Sequence, residues 1–296
     1  MKIRILILTI CMVPLFLWAQ EEDEKTNKLQ QFYEENRPVR PAYECGMLVD
    51  GQSIHVPAVK TLEFMIQHRF GSMENGLSDL FGIYGAANTR LGLNYSITNW
   101  LQVGYGLSKF RMVSDFSLKV NLLKQTRNNK IPLDVAIYGN LGIDGRNEDN
   151  FGTGYTFTNR FSYFGELLVS RKFTHWLSLQ AGISFTHFNA VERGYEHDKI
   201  GVHFLGRARV SPQSSIIVNY DWPLIITGIA ENLPILDPPK PNLGIGYEVS
   251  TSTHVFQVFV GTTTMLAPQY IMMENQNDWT KGDFFIGFNI NRLWSF

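Results

Sequence analysis

The chain has 296 residues, enough for one large β-domain or two smaller ones. Charged residues make up 18% of it, below the roughly 25% of ordinary soluble domains, so a conventional soluble surface is a poor fit. A formal net charge of -1 excludes the strongly basic class that binds nucleic acid.

Residues 1–19 carry Lys2 and Arg4 ahead of an apolar run that ends at Ala19, with acidic residues directly after. This is the pattern of a secretory signal peptide with cleavage after Ala19. Its removal takes away Lys2, Arg4 and Cys11, leaving 24 basic against 27 acidic residues and the single thiol Cys45. An internal disulfide is then impossible, and Cys45 is expected to be a spectator. Residues 20–58 read as a periplasmic N-terminal tail, polar and charged at first and then interrupted by Pro38 and Pro41.

From residue 59 onward the pattern changes to short segments of period two, and no apolar run is long enough for a membrane helix. Leu62, Phe64 and Ile66 alternate with Glu63, Met65 and Gln67. Leu91, Leu93 and Tyr95 alternate with Arg90, Gly92 and Asn94, and Phe116, Leu118 and Val120 with Ser117, Lys119 and Asn121. Further segments are expected at about 101–108, 132–143, 161–173, 176–188, 198–210, 215–222, 242–250, 254–262 and 283–296. In 254–262 the outer face is assigned to Phe256, Val258 and Val260, which turns Phe259 inward.

The connections alternate between tight turns such as Thr98-Asn99 and Thr174-His175 and longer loops such as 144–160 and 223–241. Short turns at one end and long loops at the other are the outer-membrane barrel pattern, with the short turns periplasmic. The second face of the strands is rich in Gly, Asn, Ser and Gln, which suits an enclosed lumen better than a solvent face. The fold class is therefore all-β, a transmembrane antiparallel up-and-down β-barrel of about twelve strands over 59–296. Its last strand, Phe284 to Phe296, presents aromatic residues to lipid. The terminal Phe296 resembles the recognition signal of outer-membrane proteins, although Asn291 stands where that signal usually has glycine.

The runs "SIHVPAVKTLEFMIQHRFG", "RLGLNYSITNWLQVGYGLSK", "THVFQVFVG" and "GDFFIGFNINRL" resemble an uncharacterised family of Bacteroidota outer-membrane β-barrels. The resemblance implies fold and location and carries no activity.

On the inward parity the expected lumen-lining charges are Glu63, Arg69, Arg90, Lys119, Asp134, Glu166, Arg207, Arg209, Asp221 and Glu248, with Lys172 beside them. Mixed charge of this kind either braces the lumen with ion pairs or lines a narrow solute path. Arg207 and Arg209, two residues apart on one strand, would stack on one wall and favour anions if the lumen conducts. No catalytic constellation is expected: His68 and His187 lie near strand tops with no serine obviously paired. Loop clusters at 144–152 and 192–198 read as solvated charge rather than metal ligands, since the spacing of the first fails the calcium-loop template and the adjacent residues of the second rarely converge on one ion. The proline-stiffened 233–242 is placed to cap the mouth or to meet a partner. The functional expectation is a narrow channel for small solutes, or else a closed accessory barrel that binds a protein partner through its loops or tail. Neither needs a cofactor. The partners expected are outer-membrane lipid and, during biogenesis, the barrel-assembly machinery, with no nucleic acid.

Overall fold

A computed structural model describes residues 26, 28–34, 36–226 and 235–296. The expected signal peptide, 1–19, lies outside the described residues. The described residues up to Arg40 together with 125–132 form a small unit. In it, 28–34 is helical, Pro38 bridges Thr126 in antiparallel fashion, and the Val39 amide donates to the Gln125 carbonyl at 2.8 Å.

The remainder is a closed barrel. Its twelve strands are β3 (Thr61–Ser72), β4 (Asn88–Ser96), β5 (Leu101–Ser108), β6 (Ser114–Leu123), β7 (Asp134–Ile143) and β8 (Phe161–Lys172), then β9 (Leu177–Phe188), β10 (Asp198–Arg209), β11 (Ser214–Leu224), β12 (Asn242–Ser250), β13 (His254–Gly261) and β14 (Phe285–Ser295). Each pairs antiparallel with its neighbour in sequence, and β14 closes on β3 with Ile290 opposite Ile66 and Asn289 opposite Gln67. Closure leaves no edge, which is the condition for strands to cross a bilayer.

The period-two pattern produces the two faces as expected. Leu91, Leu93, Phe116, Leu118, Ile183, Phe185, Phe256 and Val258 are exposed on the outside, and Phe259 is buried within. The outer belt also takes a charge, because Arg292 on β14 bonds His254 across the ladder and lies over the Trp294 ring at 5.4 Å. This is an amphipathic side chain holding its charge at the rim.

The tail expected over 20–58 is corrected at its C-terminal part. Residues 41–58 lie inside the barrel. Met47–Leu48 (β1) and Gly51–Gln52 (β2) form a small antiparallel hairpin, with Tyr43, Cys45, Leu48, Val49 and Ile54 all buried. A second insert enters from the long-loop end. The connection from β13 to β14 contains a helix, Pro268–Glu274, whose residues Gln269 to Met273 are buried. Leu48, Val49 and Ile54 from the hairpin and Ile271 and Met272 from the helix join wall residues Phe164, Leu168, Leu205, Ile217 and Phe259 in one apolar cluster. The lumen thus carries a core of its own.

The depth of the outer belt has a measurable consequence. Arginine at Leu93, in the middle of β4, should lower stability by about 2–4 kcal/mol, whereas arginine at Leu122, near the end of β6, should cost about 0–1 kcal/mol. Denaturant unfolding in lipid vesicles reads the difference, and equal costs at the two positions would contradict the assigned lipid face.

Candidate functional site

The candidate site is the lumen and the chamber above it. A hairpin of only two residues per strand cannot satisfy its own backbone, and buried amides and carbonyls left unpaired are costly. The wall does this work with side chains. The Val49 amide donates to Gln257 Oε1 at 3.1 Å, the Asp50 amide to Asn219 Oδ1 at 3.3 Å, and the Ile54 amide to Gln180 Oε1 at 2.9 Å. In return the Val49 carbonyl accepts from Asn289 at 2.7 Å, the Gln52 carbonyl from Gln180 at 2.7 Å, and the Met47 carbonyl from Gln257 at 3.1 Å. Val49 has φ of 57°, an unfavourable value for a β-branched residue, and is held there by these wall contacts. Gly244 makes the close approach possible, since a Cβ on it would meet Val49 Cγ1 at 2.5 Å.

The charges on the inward parity fall into this scheme. Arg69, 1% exposed, donates to Asp50 Oδ1 at 2.6 Å, so its counter-ion comes from the hairpin tip rather than the wall. Lys119 Nζ donates to the Gly46 and Ser53 carbonyls at 2.8 and 2.7 Å, and Glu63 accepts the Gly46 amide at 3.0 Å. Arg90 pairs with Asp115 at 2.6 Å, and Gly106 leaves space for that pair, since a Cβ there would lie 2.1 Å from Arg90 Nη2. Arg207 bonds Glu248 at 2.7 Å and Glu44 at 3.1 Å, while Arg209 reaches Glu44 at 2.9 Å. The expected anion-favouring arginine wall is therefore occupied by Glu44, a carboxylate of the inserted segment, and the two arginines act as braces in this form. Asp134 is half-buried at the start of β7, and Glu166 is buried on β8.

Asp221 belongs to a different set. His203 Nδ1 lies 2.8 Å from Asp221 Oδ1 and His203 Nε2 lies 2.6 Å from Ser184 Oγ. Asp221 Oδ2 accepts from Asn219 at 2.7 Å and from Asn242 at 2.8 Å. This Ser-His-Asp relay crosses β9, β10 and β11 on the lumen side, and neither Ser184 nor His203 was expected from the sequence. Met272 closes over it, because a Cβ on neighbouring Gly201 would meet Met272 Sδ at 2.4 Å and Ser184 Oγ at 2.8 Å. The two histidines that drew attention by position do something else. His68 stacks on Phe288 with centroids 5.0 Å apart, and His187 bonds Asp198 at 2.7 Å.

Cys45 is buried, with Sγ 3.0 Å from the Met47 carbonyl oxygen, and burial pushes its thiol well above the ordinary range. A thiol so held is a poor nucleophile.

Above the helix Pro268–Glu274 the long loops enclose a vestibule of about 380 Å³. It brings together residues that the sequence showed only as separate loop clusters: Asp144, Arg146 and Phe151 from one, Glu192, Tyr195 and Glu196 from another, and Asp237 from the proline-stiffened loop. Its floor is Tyr270, Met273 and Glu274 of the helix, with Arg111 held to Glu274 at 2.7 Å. Burial raises the Glu274 carboxyl above its usual range, and Arg111 opposes the shift. Among the described residues no cluster has the makings of a metal site.

Fold and lumen together define a closed, twelve-stranded membrane β-barrel with an occupied interior. The chain belongs to the family described as membrane bound beta barrel domain (DUF5777), whose model matches residues 43–294. That match begins at Tyr43, so the lumen hairpin is part of the family's domain and not an appendage. No curated protein matches the chain. Among solved structures it is similar to an outer-membrane channel from Pseudomonas putida F1 at 12% identity, covering 81% of this chain and 97% of that one with a TM-score of 0.49. It is also similar to the KdgM porin at 8% identity, covering 80% and 99% with a TM-score of 0.45, and to the outer membrane phospholipase A of Escherichia coli at 10% identity, covering 78% and 89% with a TM-score of 0.43.

The Arg69–Asp50 pair offers a direct test of how the hairpin is seated. Replacing Asp50 with Ala leaves a fully buried guanidinium without its carboxylate and should cost about 3–5 kcal/mol, whereas replacing both, Asp50→Asn with Arg69→Met, should cost much less. Thermal or denaturant unfolding in detergent measures both, and equal losses would show that the pair does not anchor the hairpin.

Proposed function

We propose that the protein is an outer-membrane channel for small polar solutes, held shut in its resting form by residues 41–58 and opened when that segment leaves the lumen. The observation that carries this reading is the chemistry of the wall behind the hairpin. Gln180, Asn219, Asn242, Gln257 and Asn289, together with Arg69 and Lys119, grip the hairpin through hydrogen bonds. A wall meant only to seal the barrel would do better with apolar packing, because a typical hydrogen bond adds only about 0.5–1.5 kcal/mol net. A wall of amides and charges is wetted when the hairpin departs, and mixed charge in a narrow passage sets selectivity. The outer face meets lipid, and the barrel-assembly machinery inserts the chain.

Catalysis is outside this reading. The Ser184–His203–Asp221 relay lies under Met272, and the amides of β10 are engaged in the ladders with β9 and β11, which supports a bracing role. A fluorophosphonate probe should leave Ser184 unlabelled in the folded barrel, and stoichiometric labelling lost in Ser184→Ala would overturn that assignment.

Planar-bilayer recording tests the channel. The wild type should be mostly closed, Glu44→Gln should open more often by loosening Arg207 and Arg209, and removal of residues 41–58 should give sustained conductance. A deletion variant that folds as a barrel yet stays silent would leave a closed accessory barrel. Acid provides a second arm. In the seated segment His55 is held down to about 3 by burial and by Lys119 and Lys124. Once released it protonates with a value of about 6.5. A depressed histidine supports the seated state fully above that value and progressively less as pH falls toward the folded one. Openings should therefore increase between pH 7 and pH 5, and His55→Gln should abolish that increase.

A further inference from the structure

The vestibule is lined by charge of both signs. Of the four cations that line it, three are paired: Arg111 with Glu274 at 2.7 Å, Arg146 with Asp144 at 2.7 Å, and Lys199 with Glu196. The fourth, Arg160, uses its Nε on the Tyr155 hydroxyl and its Nη1 on the main-chain oxygens of Asp144, at 2.8 Å, and Arg146. All of these acceptors are neutral. The rings of Phe151 and Tyr155 flank the guanidinium at 5.0 and 5.1 Å, which holds its plane without cancelling its charge. Among the described residues no carboxylate makes an ion pair with Arg160.

Other loops supply the opposite sign. Glu192 precedes β10 and Asp237 precedes β12, and neither makes an ion pair among the described residues. Asp237 accepts from the Tyr195 hydroxyl at 3.3 Å. The Tyr195 phenol is pushed up by burial and then by the negative charge of Asp237, Glu192 and Glu274, so these carboxylates bear on one spot. The lining also holds apolar side chains, among them Phe161, Phe188 and Met273. The volume, about 380 Å³, lies in the range of small-molecule sites, roughly 300–1,000 Å³.

A ligand that matches this chamber carries a negative end, a positive end and an apolar middle. A neutral sugar would desolvate Arg160 on one side and Glu192 and Asp237 on the other with no charge to offset either. A simple anion would meet the carboxylates, and a simple cation the guanidinium. We propose that the vestibule binds a short peptide with free termini, its α-carboxylate on Arg160 and its α-ammonium at Glu192 and Asp237, with apolar side chains against Phe161 and Phe188. This deepens the channel reading by naming the class of solute, and it rests on that reading for its transport role, although binding can be measured without conduction.

Titration calorimetry of the full barrel in detergent, with L-trialanine, N-acetyl-trialanine amide and maltotriose, provides the test. Trialanine should give saturable heat at millimolar concentration, and the blocked peptide and the sugar should not. Arg160→Gln and Glu192→Gln should each weaken trialanine by roughly tenfold, the factor that about 1.4 kcal/mol of lost charge pairing represents. Arg160→Lys should retain most of the affinity, which separates lost charge from a collapsed loop. Blocked peptide or maltotriose binding as tightly as trialanine, unchanged affinity in the two neutral variants, or no saturable heat from trialanine would each overturn the assignment. Trialanine binding by the wild type, with the variant lacking residues 41–58 folded yet silent in bilayers, would overturn the channel and leave the peptide site standing.

Discussion

Everything in this molecule follows from the need to satisfy backbone hydrogen bonds where water is absent. Hydrocarbon offers no partner for an amide, so the sheet closes through β14 and β3, and closure creates an inside. Inside, the same constraint returns in another form. Residues 41–58 are mostly irregular, with two short strands, and their buried amides and carbonyls find partners in Gln180, Asn219, Gln257 and Asn289. The polar character of the inner wall is thus a structural requirement of the insert as well as a lining. Removing either partner strands the other.

The arrangement has an apolar centre within that polar wall. Leu48, Val49 and Ile54 from the hairpin meet Ile271 and Met272 from the loop helix, so two inserts that enter from opposite ends share one cluster. Glycine serves this packing rather than a water path. Gly51 is a case in point, because a Cβ there would meet Leu205 at 2.6 Å and Asn219 at 2.7 Å. The inward glycines that suggested a watery lumen are, at Gly106 and Gly244, places where another side chain or the hairpin occupies the space a Cβ would fill.

The barrel was legible because lipid and lumen impose a period of two that survives in the sequence as Leu91, Leu93 and Tyr95 against Arg90, Gly92 and Asn94. Even Phe259, the large aromatic on the wrong-looking side of its strand, falls where the alternation puts it. The hairpin was not legible. Strands of two residues leave no alternation, its turn is Val49-Asp50 rather than the asparagine-glycine pairs that announce such turns, and its partners lie many residues away in sequence. Glu44 and Asp50 looked like tail charge for that reason, although they are counter-ions of Arg207, Arg209 and Arg69. Ser184, His203 and Asp221 share an inward parity, the one available signal, but their alignment across three strands depends on register, which sequence alone does not supply.

Between the vestibule and the lumen stands the helix Pro268–Glu274, and the way it is secured bears on how the two spaces communicate. It is seven residues long, has no side-chain cap at Ala267, and starts on a proline. Intrinsic helix stability at this length is negligible, so the element depends on its packing. That packing is divided between the two spaces: Tyr270 sits edge-on to Phe110 and Phe188 at 5.5 and 5.2 Å toward the vestibule, while Met272 lies against Gly201 toward the lumen. Gln269 donates to Asn140 at 2.6 Å, yet its own Oε1 is buried with no partner among the described residues. An element held by few polar bonds and by contacts to both neighbours is sensitive to what occupies either one. Departure of the hairpin removes Leu48, Val49 and Ile54 from the cluster that seats Ile271 and Met272, and so weakens the floor of the vestibule from below. The two inserts are coupled through shared apolar surface, and neither can be displaced without loosening the other.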